Sequence, residues 1–321
     1  MNITTFCPKK FLKQILPVHS KKYSSLPAYT KSKVTINKLT KKYNAGKKIT
    51  MITAYDYPTG LAADNSQCDI TLVGDSLATS ILGLKSSNEI TLDEMIHHSK
   101  AVGRATSRAM ILTDLPFGSY NVSDKQAIKS AIRLHQEGFA DSVKLEGGND
   151  QMVGRAASII NCGGIPVCGH IGLTPQSVSI LSGFRVQGKT LNSAKLLFEQ
   201  ALKLEQAGCF LLVLEAMPEI VGDAITKLVN IPTIGIGAGR YTSGQVLVLA
   251  DILDINNTGS VPKFAKIYKN VGKTFLEGIE EYTSEVVSKT YPNPDKHIYP
   301  LSKENEEEIK SFLLKQYNIE F

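Results

Sequence analysis

Three acidic residues each follow a short apolar run, and together they could bind a divalent metal ion. Asp75 follows ITLVG, Asp114 follows MILT, and Glu146 follows VKL. Mg²⁺ is a hard cation that takes one or two carboxylates directly and keeps other positions for water and substrate oxygens. No His-rich or thiolate cluster accompanies these residues, which argues against zinc. Asp75, Asp114 and Glu146 are therefore the predicted metal ligands.

Other polar residues stand at similar positions and could bind substrate or move a proton. Lys144 lies two residues before Glu146, so both side chains point to the same face of a strand. Its cation could bind a substrate carboxylate, or it could form a structural ion pair. Glu215 ends the most apolar run, and low-dielectric surroundings make a carboxylate a better base near neutral pH; an ion pair with a neighbouring helix is the alternative. His170 is expected to line the substrate pocket, and Cys168 to be a small buried hydrophobe.

These residue types predict metal-assisted chemistry beside a carbonyl group. A bound Mg²⁺ would chelate a 2-oxo acid through its keto and carboxylate oxygens. Chelation would stabilise the enolate that forms when the adjacent carbon loses a proton. Such an enolate can form or break a carbon–carbon bond.

The fold that brings these residues together must be built from eight short apolar runs. Stretches with helical spacing separate most of these runs. Continuous apolar runs are typical of strands buried on both faces of a parallel sheet. Eight such units within about 210 residues predict an α/β fold, a (β/α)8 TIM barrel, with a doubly wound open sheet as the alternative. The predicted strands are residues 49–55, 69–76, 109–117, 141–148, 165–172, 209–216, 231–239 and 245–253.

Polar residues at the strand ends are the strongest indication of a site. In a barrel the carboxyl ends of all strands meet at one rim, so residues distant in sequence would surround one pocket. The alternative is that strand ends border loops, where polar residues are common. The Gly-rich GIGAGR at 235–240 is either a phosphate cradle or a tight turn. The six polar strand ends are Asp56, Asp75, Asp114, Lys144 with Glu146, His170 and Glu215.

Helix signals flank these strands. Residues 123–138 and 192–208 have helical spacing, and Asn192 is the expected N-cap of the second. Residues 298–321 form a charged tail, in which Ser302 can cap a short helix that follows Pro300.

The two parts of the chain differ in charge. Residues 1–55 contain twelve Lys and no acidic residue, so the remainder carries 24 basic against 30 acidic residues. An acidic body argues against nucleic-acid binding.

No apolar run reaches the ~18 residues of a membrane helix, and five scattered Cys indicate a reducing compartment. Hydrophobic residues make up 42% of the chain, enough for a folded core.

The basic segment at residues 1–32 resembles a targeting sequence. Its FLKQIL places apolar side chains on one helical face beside several Lys, and acidic residues are absent. This predicts a mitochondrial presequence, although its cations are Lys where Arg is usual. The alternative is a basic, disordered extension, in which case a cytoplasmic location is expected.

Nine motifs, in order, closely resemble the ketopantoate hydroxymethyltransferase family. The resemblance predicts a catalytic domain at 33–297, with the segments 1–32 and 298–321 outside it. At 181–188, Leu181 and Ser182 depart from the family pattern, which leaves the folate-binding loop undefined. The motifs are TAYDY (53–57), VGDS (73–76), DLPF (114–117), VKLEGG (143–148), VCGHIGLTPQS (167–177), VQG (186–188), LLVLEAMP (211–218), IPTIGIGAG (231–239) and PKFAK (262–266).

The resemblance implies a TIM barrel of the phosphoenolpyruvate/pyruvate superfamily and a specific reaction. That reaction is transfer of a one-carbon unit from 5,10-methylenetetrahydrofolate to 3-methyl-2-oxobutanoate, giving 2-dehydropantoate for pantothenate synthesis. It also implies a homodecamer of two pentameric rings. The residue roles it implies are Mg²⁺ ligation by Asp75, Asp114 and Glu146, oxo-acid binding by Ser76 and Lys144 with Asp75 and Asp114, proton acceptance by Glu215, and a pocket position for His170.

Two other functions stay open at this point. One is a Mg²⁺-dependent C–C lyase or phosphomutase of the same superfamily, although the KKCGH-type motif of such enzymes is absent and only VCGH (167–170) is present. The other is a non-catalytic barrel, which would not need a complete set of metal ligands, lysine and base.

Overall fold

A computed structural model describes residues 32–178, 180, 183, 185–259 and 261–321 of the chain. Nearly all of the predicted presequence, and the departures at Leu181 and Ser182, lie outside these residues. Eight parallel strands close into a barrel in sequence order, because β8 pairs with β1. The strands are β1 (Ile49–Thr53), β2 (Ile70–Val73), β3 (Met110–Asp114), β4 (Ser142–Glu146), β5 (Val167–Gly172), β6 (Leu211–Glu215), β7 (Thr233–Ile236) and β8 (Gly244–Leu247).

Helices follow most of the strands, as the alternating pattern predicts. The (β/α)8 barrel is confirmed and the open sheet is wrong. The eighth strand ends earlier than residue 253, because a short helix begins at Leu249. The helices are α1 (Ile36–Asn44), α2 (Tyr57–Asn65), α3 (Leu77–Ser80), α4 (Leu92–Ala105), α5 (Asp124–Gly138), α6 (Asp150–Ser158), α7 (Leu191–Gln206), α8 (Glu219–Leu228), α9 (Leu249–Ile252), α10 (Val271–Val287) and α11 (Lys303–Tyr317).

Side-chain caps fix several of the helix starts. Ser302 caps α11, as the sequence predicts, and Ser123 caps α5. For α7 the predicted cap, Asn192, is wrong. Thr190 is the N-cap instead, because its hydroxyl accepts from the main-chain N–H of Ser193 while the Ser193 hydroxyl accepts from that of Thr190.

The strands alternate between two apolar clusters. On β3, Met110 and Leu112 belong to the cluster inside the barrel, whereas Ile111 packs in the cluster between strands and helices. On β6, Leu211 and Val213 likewise face inward. Because side chains on a strand alternate with period two, each strand contributes to both clusters, and its inward positions lead up to the carboxyl rim.

Helix α1 closes the amino end of the barrel. Val34 and Leu39 join the inner cluster, and the main-chain N–H of Val34 donates to the carbonyl of Arg108 at 2.7 Å. An ion pair between Lys33 and Asp141 lies at the same end. The inner cluster and α1 together fill the barrel below its carboxyl rim.

Asp64, near the end of α2, orders the turn that leads into β3. Its two carboxylate oxygens accept hydrogen bonds from the main-chain N–H groups of Ser107, Arg108 and Ala109 and from the Ser107 hydroxyl, at 2.7–3.1 Å. Burial raises the pKa of Asp64, but these hydrogen bonds outweigh it and hold the pKa below its ordinary value.

Helix α10 projects an apolar face from the barrel. Phe275, Ile279, Tyr282 and Val286 recur at helical spacing and are exposed, and Gly272 is its buried residue. Within the described part of the chain, no helix is both long and apolar enough to cross a membrane.

Candidate active site

All seven predicted site residues line one cavity of about 770 Å³ at the carboxyl ends of the strands. They meet there because side chains alternate between the two faces of each strand. On the inward face, the position that follows the inner apolar cluster, toward the carboxyl end of the strand, is polar. These residues are Asp75, Ser76, Asp114, Lys144, Glu146, His170 and Glu215. The corresponding pairs of apolar and polar inward positions are Leu112 and Asp114 on β3, Cys168 and His170 on β5, and Val213 and Glu215 on β6.

The ammonium group of Lys144 lies at the centre of the buried charges. Its Nζ atom is 3.3 Å from Asp114 Oδ1, 3.8 Å from Glu146 Oε1 and 3.1 Å from His170 Nδ1. Burial lowers the pKa of Lys144, but the surrounding carboxylates outweigh it, Asp114 first, and raise the pKa. Lys144 is therefore a protonated cation that faces the cavity and also forms the ion pairs anticipated as the alternative.

His170, on β5, lies between two carboxylates that belong to the neighbouring strands β4 and β6. Its Nδ1 atom lies 3.4 Å from Glu146 Oε1, and its Nε2 atom lies 3.2 Å from Glu215 Oε2. Burial and the Lys144 cation lower the pKa of His170, yet the two carboxylates prevail and raise it to about 9. His170 in turn holds the pKa of Glu146 below its ordinary value, against the raising effect of burial.

Asp75 and Asp114 form a buried acidic pair. The main-chain N–H of Asp75 donates to Asp114 Oδ2 at 3.1 Å. Burial and the neighbouring charge of Asp114 raise the pKa of Asp75 well above its ordinary value, and burial also raises that of Asp114 although Lys144 opposes it. Two carboxylates that are costly to ionise side by side favour a cation between them.

The residues of the acidic pair fit a hard divalent cation. Among the described residues no group of three or more acidic, His or Cys side chains is already arranged around a metal position. Mg²⁺, however, needs only one or two carboxylates. The Oδ1 atom of Asp114 is buried without a hydrogen-bond partner. Four carboxyl groups lie on the cavity floor, of Asp75, Asp114, Glu146 and Glu215. They outnumber the two cationic side chains there, Lys144 and His170, so the floor favours an added cation.

Gln176 and Tyr120 also belong to the site, and sequence reasoning missed them. The Gln176 side chain donates to Asp75 Oδ2 at 2.8 Å, and its main-chain N–H donates to Glu146 Oε2 at 3.0 Å. The Tyr120 hydroxyl donates to the Gln176 amide oxygen at 2.6 Å. Both residues lie in loops rather than at strand ends; the only signal for Gln176 was its place in the TPQS segment.

Other expectations for the rim need correction or gain support. Asp56 does not line the cavity, because it caps α2 by accepting from the main-chain N–H of Thr59 at 2.9 Å. Glu215 is only partly buried, with 14% of its side chain exposed. At residues 235–240 the tight turn is favoured over a phosphate cradle, since the N–H of Arg240 is taken by the Glu219 carboxylate at 3.0 Å. Cys168 is fully buried, as predicted.

Comparison with known proteins identifies the family. The family model for ketopantoate hydroxymethyltransferase matches residues 33–294. The chain belongs to the ketopantoate hydroxymethyltransferase family. A relative from Emericella nidulans, 3-methyl-2-oxobutanoate hydroxymethyltransferase, is 46% identical over 278 residues, covering 86% of this chain and 79% of the relative. A relative of the same name from Thermoanaerobacter sp. is 47% identical and covers 85% and 97%.

Plant relatives in the ketopantoate hydroxymethyltransferase family have names that give a mitochondrial location. A relative from Arabidopsis thaliana, 3-methyl-2-oxobutanoate hydroxymethyltransferase 1, mitochondrial, is 42% identical and covers 86% of this chain and 80% of its own length. The bacterial relative named above gives no compartment.

Solved structures support the fold of this hydroxymethyltransferase. A 2,3-dimethylmalate lyase of the PEP mutase/isocitrate lyase superfamily matches with a TM-score of 0.52 at 11% identity, covering 86% of this chain and 98% of that one. A phosphonopyruvate hydrolase matches with a TM-score of 0.53 at 10% identity, covering 89% and 100%. At such low identity these neighbours show the barrel alone. The lyase or phosphomutase alternative therefore gains no support from them.

Proposed function

We propose that this chain transfers a one-carbon unit from 5,10-methylenetetrahydrofolate to 3-methyl-2-oxobutanoate and releases 2-dehydropantoate, in a Mg²⁺-dependent reaction. The observation that carries the proposal is that all seven side chains matched to the family motifs line one cavity. Family membership supports the transferase activity, and the charge of the cavity floor supports the cation.

The chain's own residues divide the work in the proposed reaction. Lys144 and Ser76 hold the oxo acid, because the Lys144 cation faces the cavity and can bind a substrate carboxylate. Glu215 accepts the proton from C3 of the substrate, and His170 Nε2 forms an ion pair with its carboxylate at 3.2 Å. The methylene carbon of the folate then gains a bond to C3 and a hydroxyl group from water, while both of its carbon–nitrogen bonds break. The two folate nitrogens take up the protons that C3 and the water release.

Asp75 and Asp114 would hold Mg²⁺, with Glu146 as the third predicted ligand. The Oδ1 of Asp114, which is paired with the Lys144 ammonium but has no hydrogen-bond partner, and the raised pKa values of the two Asp support this role. Both Glu146 oxygens already have partners, His170 and the Gln176 N–H, which favours a contact with the cation through water. When bound, Mg²⁺ supplies positive charge beside the keto oxygen as negative charge develops there.

The outer part of the cavity is large enough for a second substrate. Its volume of about 770 Å³ exceeds what a small branched oxo acid fills. Val248 and Phe264 provide apolar lining, while Lys85 and Arg185 add positive charge. This combination suits a flat ring system attached to an acidic tail, as in a folate.

A direct assay tests the proposed function. Purified protein is incubated with 3-methyl-2-oxobutanoate, and 2-dehydropantoate is quantified with methylenetetrahydrofolate and Mg²⁺ each present or omitted. The proposal requires product only when both are present. Conversion of a 2-oxo acid or phosphonate without folate would instead indicate a lyase or phosphomutase.

A homodecamer and a mitochondrial location complete the proposal. The exposed apolar face of α10 supports self-association, which light scattering coupled to size exclusion can measure. The mitochondrial name of the plant relative and the Lys-rich segment at 1–32 support the presequence. The expected partners are the small-molecule substrates and further copies of the chain, with neither nucleic acid nor membrane among them.

A further inference from the structure

We propose that Gln176 is a positioning residue, which holds Asp75 and Glu146 in the orientation that binds the divalent cation. The proposal rests on the proposed function, because it takes Asp75 to be a metal ligand. Gln176 lies after β5, in a short turn at Pro175–Ser177, and is 4% exposed. It does not line the cavity, so it acts on the cation through the carboxylates.

Every hydrogen-bonding atom of Gln176 has a partner. The amide nitrogen donates to Asp75 Oδ2 at 2.8 Å and to the carbonyl of Leu115 at 2.9 Å. The main-chain N–H donates to Glu146 Oε2 at 3.0 Å, and the main-chain carbonyl accepts from the Asn88 side chain at 3.0 Å. With Oδ2 fixed in this way, Oδ1 is the Asp75 oxygen left for a cation.

Tyr120 determines which end of the amide faces Asp75. Its hydroxyl donates to the Gln176 amide oxygen at 2.6 Å and accepts from the main-chain N–H of Glu146 at 3.3 Å. A hydroxyl that donates needs the oxygen end of the amide, so the nitrogen end must point to Asp75. One buried residue therefore links the loop after β5 to three strand ends: its side chain bonds to those of β2 and β3, and its main chain to that of β4.

The expected effect of breaking this link is on cation affinity. Removing a hydrogen-bonding partner of a metal-ligating side chain costs about 10–100-fold in metal affinity. Gln176→Met keeps a side chain of similar length but loses all amide hydrogen bonds. We expect its Kd for Mn²⁺, used as a spectroscopic substitute for Mg²⁺, to rise by about 10–100-fold. When Mg²⁺ is saturating, the kcat of this variant should recover toward the wild-type value. The Mg²⁺ concentration that gives half of the maximal rate should stay raised.

The experiment measures Mn²⁺ binding to the full-length chain by electron paramagnetic resonance, with circular dichroism melting on the same samples. Tyr120→Phe, which removes one hydroxyl, should weaken binding by a few-fold in the same direction. Thr226→Val is the matched control: it removes a hydroxyl that bonds Gly222 and Thr233 at 2.8 and 2.7 Å, away from the cavity, and should leave Mn²⁺ affinity unchanged.

The possible outcomes distinguish the positioning role of Gln176 from the existence of the metal site. Weaker Mn²⁺ binding by folded Gln176→Met and Tyr120→Phe, with Thr226→Val unchanged, supports the positioning role. Unchanged affinity in both site variants, when the wild type binds Mn²⁺, overturns that role and leaves the metal site standing. A wild type that fails to bind Mn²⁺ overturns the metal site itself. If Gln176→Met does not fold, Tyr120→Phe decides alone.

Discussion

The imidazole Nε2 of His170 lies 3.2 Å from Glu215 Oε2, where strands β5 and β6 reach the rim. The other ring nitrogen lies 3.4 Å from Glu146 Oε1. The histidine therefore joins the proposed proton acceptor to the carboxylates proposed for the metal. This contact is an ion pair without hydrogen-bond geometry, and it leaves part of the Glu215 carboxylate open to the cavity.

Replacing the proposed base should slow proton removal and spare binding. In Glu215→Gln the shape is kept but the proton acceptor is lost, so deuterium exchange at C3 of 3-methyl-2-oxobutanoate should slow by roughly 10²–10⁴-fold. Exchange is followed by NMR, and oxo-acid affinity by calorimetry. Glu219→Gln, the same change at a carboxylate outside the cavity, should exchange at the wild-type rate. Equal exchange in both variants would assign the base elsewhere.

Removing one acid of the buried pair should abolish the response to magnesium. Asp114→Asn loses a negative charge that the cation needs, so product formation should fall and no longer rise when Mg²⁺ is added to chelator-treated enzyme. Rates are measured across a Mg²⁺ titration. Asp56→Asn is the control, because Asp56 caps α2 outside the cavity and Asn is also a good N-cap. Full activity of Asp114→Asn in chelator would contradict the metal role.

Asp64 should contribute stability that depends on pH. In Asp64→Asn the amide group would face main-chain donors, which leaves a buried group unsatisfied at a cost of about 1–3 kcal/mol. Because hydrogen bonds hold the pKa of Asp64 below its ordinary value, the wild-type advantage is fully present above the ordinary Asp pKa and is lost as pH falls through the folded value. The midpoints of urea unfolding of the wild type and of Asp64→Asn, at neutral and at acidic pH, measure this difference in stability.

A partly exposed acid gives the comparison for that series. Asp223 pairs with Lys227 on the surface of α8, so Asp223→Asn should change the unfolding midpoint little at any pH. A difference between Asp64→Asn and wild type that stays constant down to acidic pH would show that the charge of Asp64 is not what matters.

Deleting residues 1–32 should change location and not catalysis. The segment carries the basic, acid-free pattern of a presequence, whereas the family match begins at residue 33. The truncated chain should keep its specific activity and move from mitochondria to the cytosol. Cell fractionation of both forms, with the activity assay on each fraction, provides the measurement. Finding both forms in the same compartment would leave the segment as a basic extension.

The barrel and most of its rim could be predicted because they follow from strand chemistry. Buried parallel strands must be apolar along their length, so a polar residue at the end of such a run is conspicuous in sequence. Asp114 and Glu215 stand out for this reason. Asp56 shows the limit of the argument, since the same pattern also arises where a strand is followed directly by a capped helix.

Gln176 could not be predicted from sequence because nothing local distinguishes it. Its importance arises from contacts with Asp75 and Tyr120, 101 and 56 residues away. Such contacts depend on how the loop after β5 folds over the rim. The same holds for Asp64, whose role is set by a turn that lies 43–45 residues further along the chain.

Closure of the amino end of the barrel by α1 makes the cavity blind-ended. Val34 and Leu39 pack into the inner cluster at that end, so traffic to the acidic floor passes through the rim. In the proposed reaction the small oxo acid occupies the floor and the bulky folate the mouth. The acid must then arrive first and its product leave last, which is an ordered sequence imposed by architecture.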